Sequence, residues 1–174
     1  MRTALPRIKL FGLVGLILLI SSCHNNTDSL TAAQRSIVMD SVQLMVDSIA
    51  KAISHEGPIA WLRYFENSPD FYMASEGQLA FTNNDSLANF LKNTYAKSVS
   101  KIELSWNHVR IDPFTGKIAG VAAIFHEDIT DFAGRKTASD GYFTGIAHQT
   151  SQGWQFQNAH WSIIPTEKSN TIKQ

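Results

Sequence analysis

The sequence predicts an α+β domain in which N-terminal helices cover one face of a mostly antiparallel sheet. Three observations carry this. Apolar residues recur at spacings of three and four in the first half of the chain. From about residue 101 the period becomes two, and short turns then join consecutive strands. Helices gathered ahead of a run of strands give a layered α+β arrangement.

The first helix opens at Thr31-Ala32-Ala33-Gln34, the pattern of a capping box, in which a Thr hydroxyl and a Gln side chain satisfy free amides at the helix start. Val38, Val42, Met45, Ile49, Ala52 and Ile53 follow as one apolar stripe. Gly57-Pro58 ends it, because glycine suits a C-terminal cap and proline suits the start of the next helix. In that second helix Ile59, Leu62 and Phe65 form the buried side, with Trp61 slightly off it, and Asn67-Ser68-Pro69 is the stop. Two short strands, residues 71–74 and 79–82, flank a turn at Glu76-Gly77. A third helix over residues 85–97 spaces Leu87, Phe90, Leu91 and Tyr95 for burial.

Residues 101–111 then alternate, with Ile102, Leu104 and Trp106 on one face and Glu103, Ser105 and Asn107 on the other. Asp112-Pro113-Phe114-Thr115-Gly116 turns the chain into a second strand over residues 118–129. Strands over residues 141–150 and 154–164 complete the sheet around Gln152-Gly153. If the first long hairpin closes around Pro113-Phe114-Thr115-Gly116, Leu104 meets Phe125 and Trp106 meets Ala123. Ile102, Leu104, Trp106, Val121, Ala123 and Phe125 then share one apolar face, against which the helices pack.

Ahead of this domain, Arg2, Arg7 and Lys9 precede an apolar run over residues 10–20 and then Ser21-Ser22-Cys23. A charged start, an apolar middle and small residues at the cut make a secretory signal. The run, about 11 residues, is too short to span a hydrocarbon core, which takes roughly 20. Small residues directly before the chain's single cysteine resemble the lipobox of bacterial lipoproteins. That resemblance implies removal of residues 1–22 and acylation of Cys23. Two or more acyl chains hold a protein on a membrane where one binds only reversibly. The expectation is a membrane-tethered protein of the bacterial cell envelope, periplasmic or surface-facing. Residues 23–29 read as a polar tether, and residues 166–174 as a polar tail.

Three of the 15 basic residues lie in the signal and none of the 15 acidic ones, which leaves 12 against 15 and a net charge of −3. No basic stripe remains for a phosphate backbone, so nucleic acid is not an expected partner. An acylated Cys23 leaves no thiol for a disulfide, a thiolate metal site or a nucleophile.

The order of elements, with Gly141-Tyr142-Phe143-Thr144-Gly145-Ile146-Ala147-His148, Gly153-Trp154-Gln155-Phe156 and His160-Trp161-Ser162 at its end, resembles the NTF2-like superfamily, including SnoaL-like and DUF4440-type domains. The resemblance covers residues 30–165. It implies a cone, in which a curved sheet wraps three helices around a pocket at the wide end, and frequent homodimerisation through the outer sheet face.

Candidate pocket residues follow from the period of each strand. On the last strand Trp154, Phe156, Asn158, His160 and Ser162 share a face, with Gln155, Gln157, Ala159 and Trp161 on the other. His160 is the candidate acid–base group, since imidazole titrates near neutrality, and Ser162 could orient it. Without an acidic partner the pair is not a triad. In His126-Glu127-Asp128, the outer two residues diverge from Glu127. Glu127 falls on the inner face near the strand end, as a second acid–base candidate or a solvated carboxylate. His126 and Asp128 lack a third ligand, and His-x-x-x-His spacing is absent, so no metal site is expected. His108, near a hairpin end, reads as a partly exposed structural residue. Trp61, Tyr72, Trp106, Phe125 and Tyr142 either line a flat apolar cavity or fill the core.

The expected function is binding of a small, partly apolar ligand or a partner protein by an anchored domain. The alternative is a small cofactor-independent isomerase, dehydratase or hydrolase using His160 or Glu127. A third is an accessory module that docks a partner through its sheet.

Overall fold

The computed structural model of the chain describes residues 29–165. The signal segment, Cys23 and the C-terminal tail lie outside them. No helix among the described residues is long and apolar enough to cross a membrane.

Helix α1 (Ala32–Glu56) begins as its sequence dictates. Thr31 caps it, its side chain accepting from the Gln34 amide at 3.3 Å while the Gln34 side chain accepts from the Thr31 amide at 2.9 Å. Its buried stripe, Val38, Val42, Met45, Val46, Ile49, Ala52 and Ile53, lies against the sheet. Gly57 closes the helix at φ 81°, a conformation that glycine adopts without strain.

The next segment differs from expectation. Pro58–Arg63 is a 3₁₀ helix, not an α-helix. Its period of three puts Pro58 and Trp61 on one side, and both are buried. Ile59, expected inside, is 44% exposed. Phe65 is buried beyond the helix end, where the chain bridges to Phe156. Arg63 pairs with both oxygens of Glu56, at 2.6 and 2.7 Å, across the Gly57-Pro58 corner.

Strands β1 (Tyr72–Ser75) and β2 (Gln78–Phe81) form the short hairpin. Helix α2 (Asn84–Phe90) is capped by Asn83, whose side chain accepts from the Ser86 amide. It continues through a π-helical turn, Leu91–Tyr95, and one last helical turn, Ala96–Ser98. Four long strands follow: β3 (Val99–Thr115), β4 (Ile118–Asp131), β5 (Lys136–Thr150) and β6 (Gly153–Ile163).

The sheet runs β2-β1-β6-β5-β4-β3. β3 to β6 form the antiparallel meander, and β1 joins β6 in parallel. The β3–β4 register is two residues away from the expected one, since Leu104 faces Glu127 and Trp106 faces Phe125. The hairpin closes at Gly116-Lys117, between the paired Thr115 and Ile118, rather than around Pro113 to Gly116. A bulge between Asn107 and Arg110 then absorbs one residue and leaves His108 exposed at φ 50°. Because the slip before the bulge is even, residues 102–106 keep their expected face, while beyond it the alternation of β3 reverses and Ile111 turns inward. Ile102, Leu104, Val121, Ala123 and Phe125 are buried, and Trp106 is partly buried against the same core.

β6 departs more consequentially. Ala147 pairs with Phe156 but Ile146 pairs with Asn158, so Gln157 is an extra residue. The two-residue alternation reverses there. Phe156, Ala159 and Trp161 belong to the core, while His160 is exposed.

Candidate functional site in the cone

Between the sheet and the helical segments lies a cavity of about 510 Å³. The 3₁₀ helix brings Trp61, the hairpin brings Met73, Ser75 and Phe81, and α2 with its π turn brings Leu87, Phe90, Leu91 and Tyr95. From the long strands come Glu127 on β4 and Trp161 on β6. Half of the lining residues are aromatic, and most of the rest are aliphatic. Trp61 and Trp161 meet edge to face at 5.8 Å between centroids. Elsewhere on the lining, Phe90 stacks on Tyr95 at 5.9 Å and contacts Phe81 at 5.3 Å. Trp161 in turn stacks on Phe125 at 3.8 Å.

Glu127 is the charged residue of this lining. It sits between Leu104 on β3 and Ser139 on β5, and is 7% exposed. Burial pushes its carboxyl up to about 7, and burial is the sole cause. Taking a carboxylate out of water disfavours its ionised form unless a partner offsets the loss. Among the described residues, no Lys, Arg or His lines the cavity with it. Tyr95 is held protonated well beyond the ordinary tyrosine range, first by burial and then by the charge of Glu127. Ser75 supplies the remaining side-chain hydroxyl.

Of the residues expected in the pocket, Trp61 and Glu127 line it. Phe125 and Trp106 lie in the packed core, Phe125 supporting Trp161 by stacking and Trp106 meeting the edges of both Trp61 and Trp161. Tyr72, Asn158, His160 and Ser162 do not reach it. Tyr72 pairs with Asn158 and lines a separate outer cleft with His160, while Ser162 sits opposite the exposed Tyr142. The expectation that His160 points into the cone with Phe156 is therefore corrected, and the cause is the extra residue Gln157. Trp161 occupies the inner position instead.

The divergence of His126 and Asp128 from Glu127 holds. His126 is exposed and bonds Asp140 at 2.9 Å and Asp128 at 3.3 Å. The Asp140 hydrogen bond is the main reason its pKa lies above the ordinary histidine range. Among the described residues no group of three or more His, Cys, Asp or Glu side chains could hold a metal ion. Tyr95 and Trp161 are among the cavity residues that sequence reasoning did not assign to the site. Tyr95 was marked by its helical stripe, whereas nothing in the alternation marked Trp161.

No protein-family model matches the chain, and no curated protein does. Solved structures do resemble it. One is a nuclear transport factor 2 (NTF2-like) superfamily protein from Salmonella enterica serovar Typhimurium LT2, with TM-score 0.65 and 18% identity over 78% of this chain and 97% of that one. Another is a putative scytalone dehydratase from Novosphingobium aromaticivorans, with TM-score 0.67 and 12% identity over 78% and 89%. A third is a putative dehydratase of the NTF2-like family from Streptomyces avermitilis, with TM-score 0.63 and 13% identity over 76% and 99%. The fold is that of the NTF2-like superfamily.

Proposed function

We propose that this chain is a lipid-anchored, extracytoplasmic NTF2-like protein whose cone binds a small, partly apolar molecule. The observation that carries the binding reading is the aromatic cavity of about 510 Å³ with one buried carboxylate. Pockets of this size and lining, with few convergent polar groups, suit small ligands. Displacement of an environment-sensitive apolar dye by candidate ligands tests it. Ser75→Phe, which fills the cavity from β1, is expected to weaken dye binding by about tenfold or more. Unchanged binding in that variant places the ligand elsewhere.

Glu127 supports a second reading, cofactor-independent proton transfer. A carboxyl poised near neutrality in an apolar cavity can take a proton from carbon and return it, as an isomerase or a dehydratase requires. Two of the structural neighbours are named as dehydratases. If an activity is found, Glu127→Gln should lower its rate by about 10²–10⁴ with folding retained. Full activity in that variant removes proton transfer by Glu127.

Anchoring rests on Cys23 and the signal before it. Cys23→Ser expressed in a bacterial host is expected to leave the membrane fraction, as a soluble or uncleaved form. Unchanged membrane extraction, together with an unmodified Cys23 in the wild type, rejects the anchor.

A further inference from the structure

We propose that the cone takes an organic cation, an ammonium group on a small apolar or aromatic body, with Glu127 as its counter-ion and the rings of Trp61, Trp161 and Tyr95 beside it. This rests on the cavity being a ligand site and names the chemical class that fits it.

The lining decides the sign of the ligand. An anion would bring a second negative group beside Glu127, with no Lys, Arg or His among the described residues of the lining to offset either. A neutral apolar molecule would fill the space but leave the buried carboxylate uncompensated whenever it ionised. A cation supplies the missing charge. Aromatic faces within about 6 Å of a cation attract it through their quadrupoles, and more strongly when water is excluded. The cavity offers such rings from several elements: Trp61 with Trp161, set edge to face, and Tyr95 stacked on Phe90. An alkylated ammonium matches both the apolar walls and the single charge.

Binding then couples to protonation. The titratable group facing the cavity with Glu127 is Tyr95, from the π turn. From the other elements packed there, β3 presents Leu104, β5 presents Ser139, the 3₁₀ helix presents Trp61 and β6 presents Trp161, none of them charged. His126 and Asp128, the charged neighbours of Glu127 on its own strand, bond each other on the outer face. A bound cation favours the ionised carboxylate, so ligand uptake releases a proton. Affinity for a cation rises with pH until Glu127 is fully ionised, then levels off.

Tryptophan fluorescence of the purified full chain, titrated with benzyltrimethylammonium, with its neutral carbon isostere neopentylbenzene and with the anion phenylacetate, tests the assignment. Near pH 8 the cation is expected to bind about tenfold or more tightly than the isostere, and phenylacetate most weakly. The cation's advantage should shrink near pH 5. Glu127→Gln should abolish that advantage while keeping the isostere's affinity, which also shows that the variant's cavity is intact. If the isostere binds as tightly as the cation near pH 8, the cation assignment is overturned and the binding reading of the cavity survives. A preference for the cation that persists in Glu127→Gln overturns the counter-ion role. Binding of none of the three overturns both the assignment and the cavity's function.

Discussion

Replacing Phe143 with alanine is expected to remove about 3–5 kcal/mol of stability, the range for deleting a large buried aromatic. Phe143 is 1% exposed, on the inner face of β5. Its ring centre lies 4.9 Å from Phe156, 5.5 Å from Trp106, 5.9 Å from Trp161 and 6.4 Å from Trp61. These neighbours come from two strands and the 3₁₀ helix, so no single one can move in to fill the gap. The loss is then the transfer of the ring plus the void it leaves. A domain of ordinary stability, roughly 5–15 kcal/mol, would keep only part of it. Urea denaturation of the two proteins measures the difference. A loss below about 1 kcal/mol, far under the core range, would mean that the aromatic cluster collapses around the vacancy or that β5 presents its other face.

The second large effect is an increase in stability that depends on pH. The folded-state pKa of Glu127, about 7, lies above its ordinary value of 4.5. Below both values the side chain is protonated in the folded and unfolded chains, and no difference arises. Between them the folded protein holds a proton that the unfolded chain has released, so stability falls as pH rises. Above about 7 the loss is complete, and it amounts to about 3 kcal/mol. Glutamine keeps the shape and cannot ionise. Glu127→Gln is therefore expected to match the wild type near pH 4 and to exceed its stability by about 3 kcal/mol near pH 8. Denaturation at both pH values isolates this residue, because other titrating groups contribute equally to both proteins. The same difference at each pH would show that Glu127 is solvated in the folded state.

What the sequence made legible was what neighbouring residues decide among themselves. The Thr31–Gln34 cap, the stripe of α1 and the apolar face of β3 and β4 depend on spacings within a single element. The face even survived a wrong hairpin closure, since a slip of two leaves alternation intact. Inner placement of Glu127 was legible for the same reason. Ile59 was placed inside and Trp61 off the buried stripe because an α-helical period of 3.6 was applied to a segment that winds with three residues per turn. His160 and Trp161 were exchanged because Gln157 stands out of the β5–β6 ladder. No local residue preference announces that. It follows from how β6 must meet β5 and the chain at Tyr64 and Glu66, which exchange backbone hydrogen bonds with Phe156.

The extra residue in β6 also bears on how such a cavity changes over generations. Altering the chemistry of a strand one substitution at a time requires a tolerable intermediate at each step. Straightening the bulge, so that Gln157 itself pairs with Ile146, would instead turn the whole segment beyond it in one event, carrying Asn158 and His160 inward and Ala159 and Trp161 outward. An imidazole and an amide would then stand in place of an indole, without any new side chain having been made. Two lineages differing only in whether that residue is paired could hold nearly identical residues and present unrelated chemistry to what they bind. Aligned position by position, they would look conserved where they had diverged most.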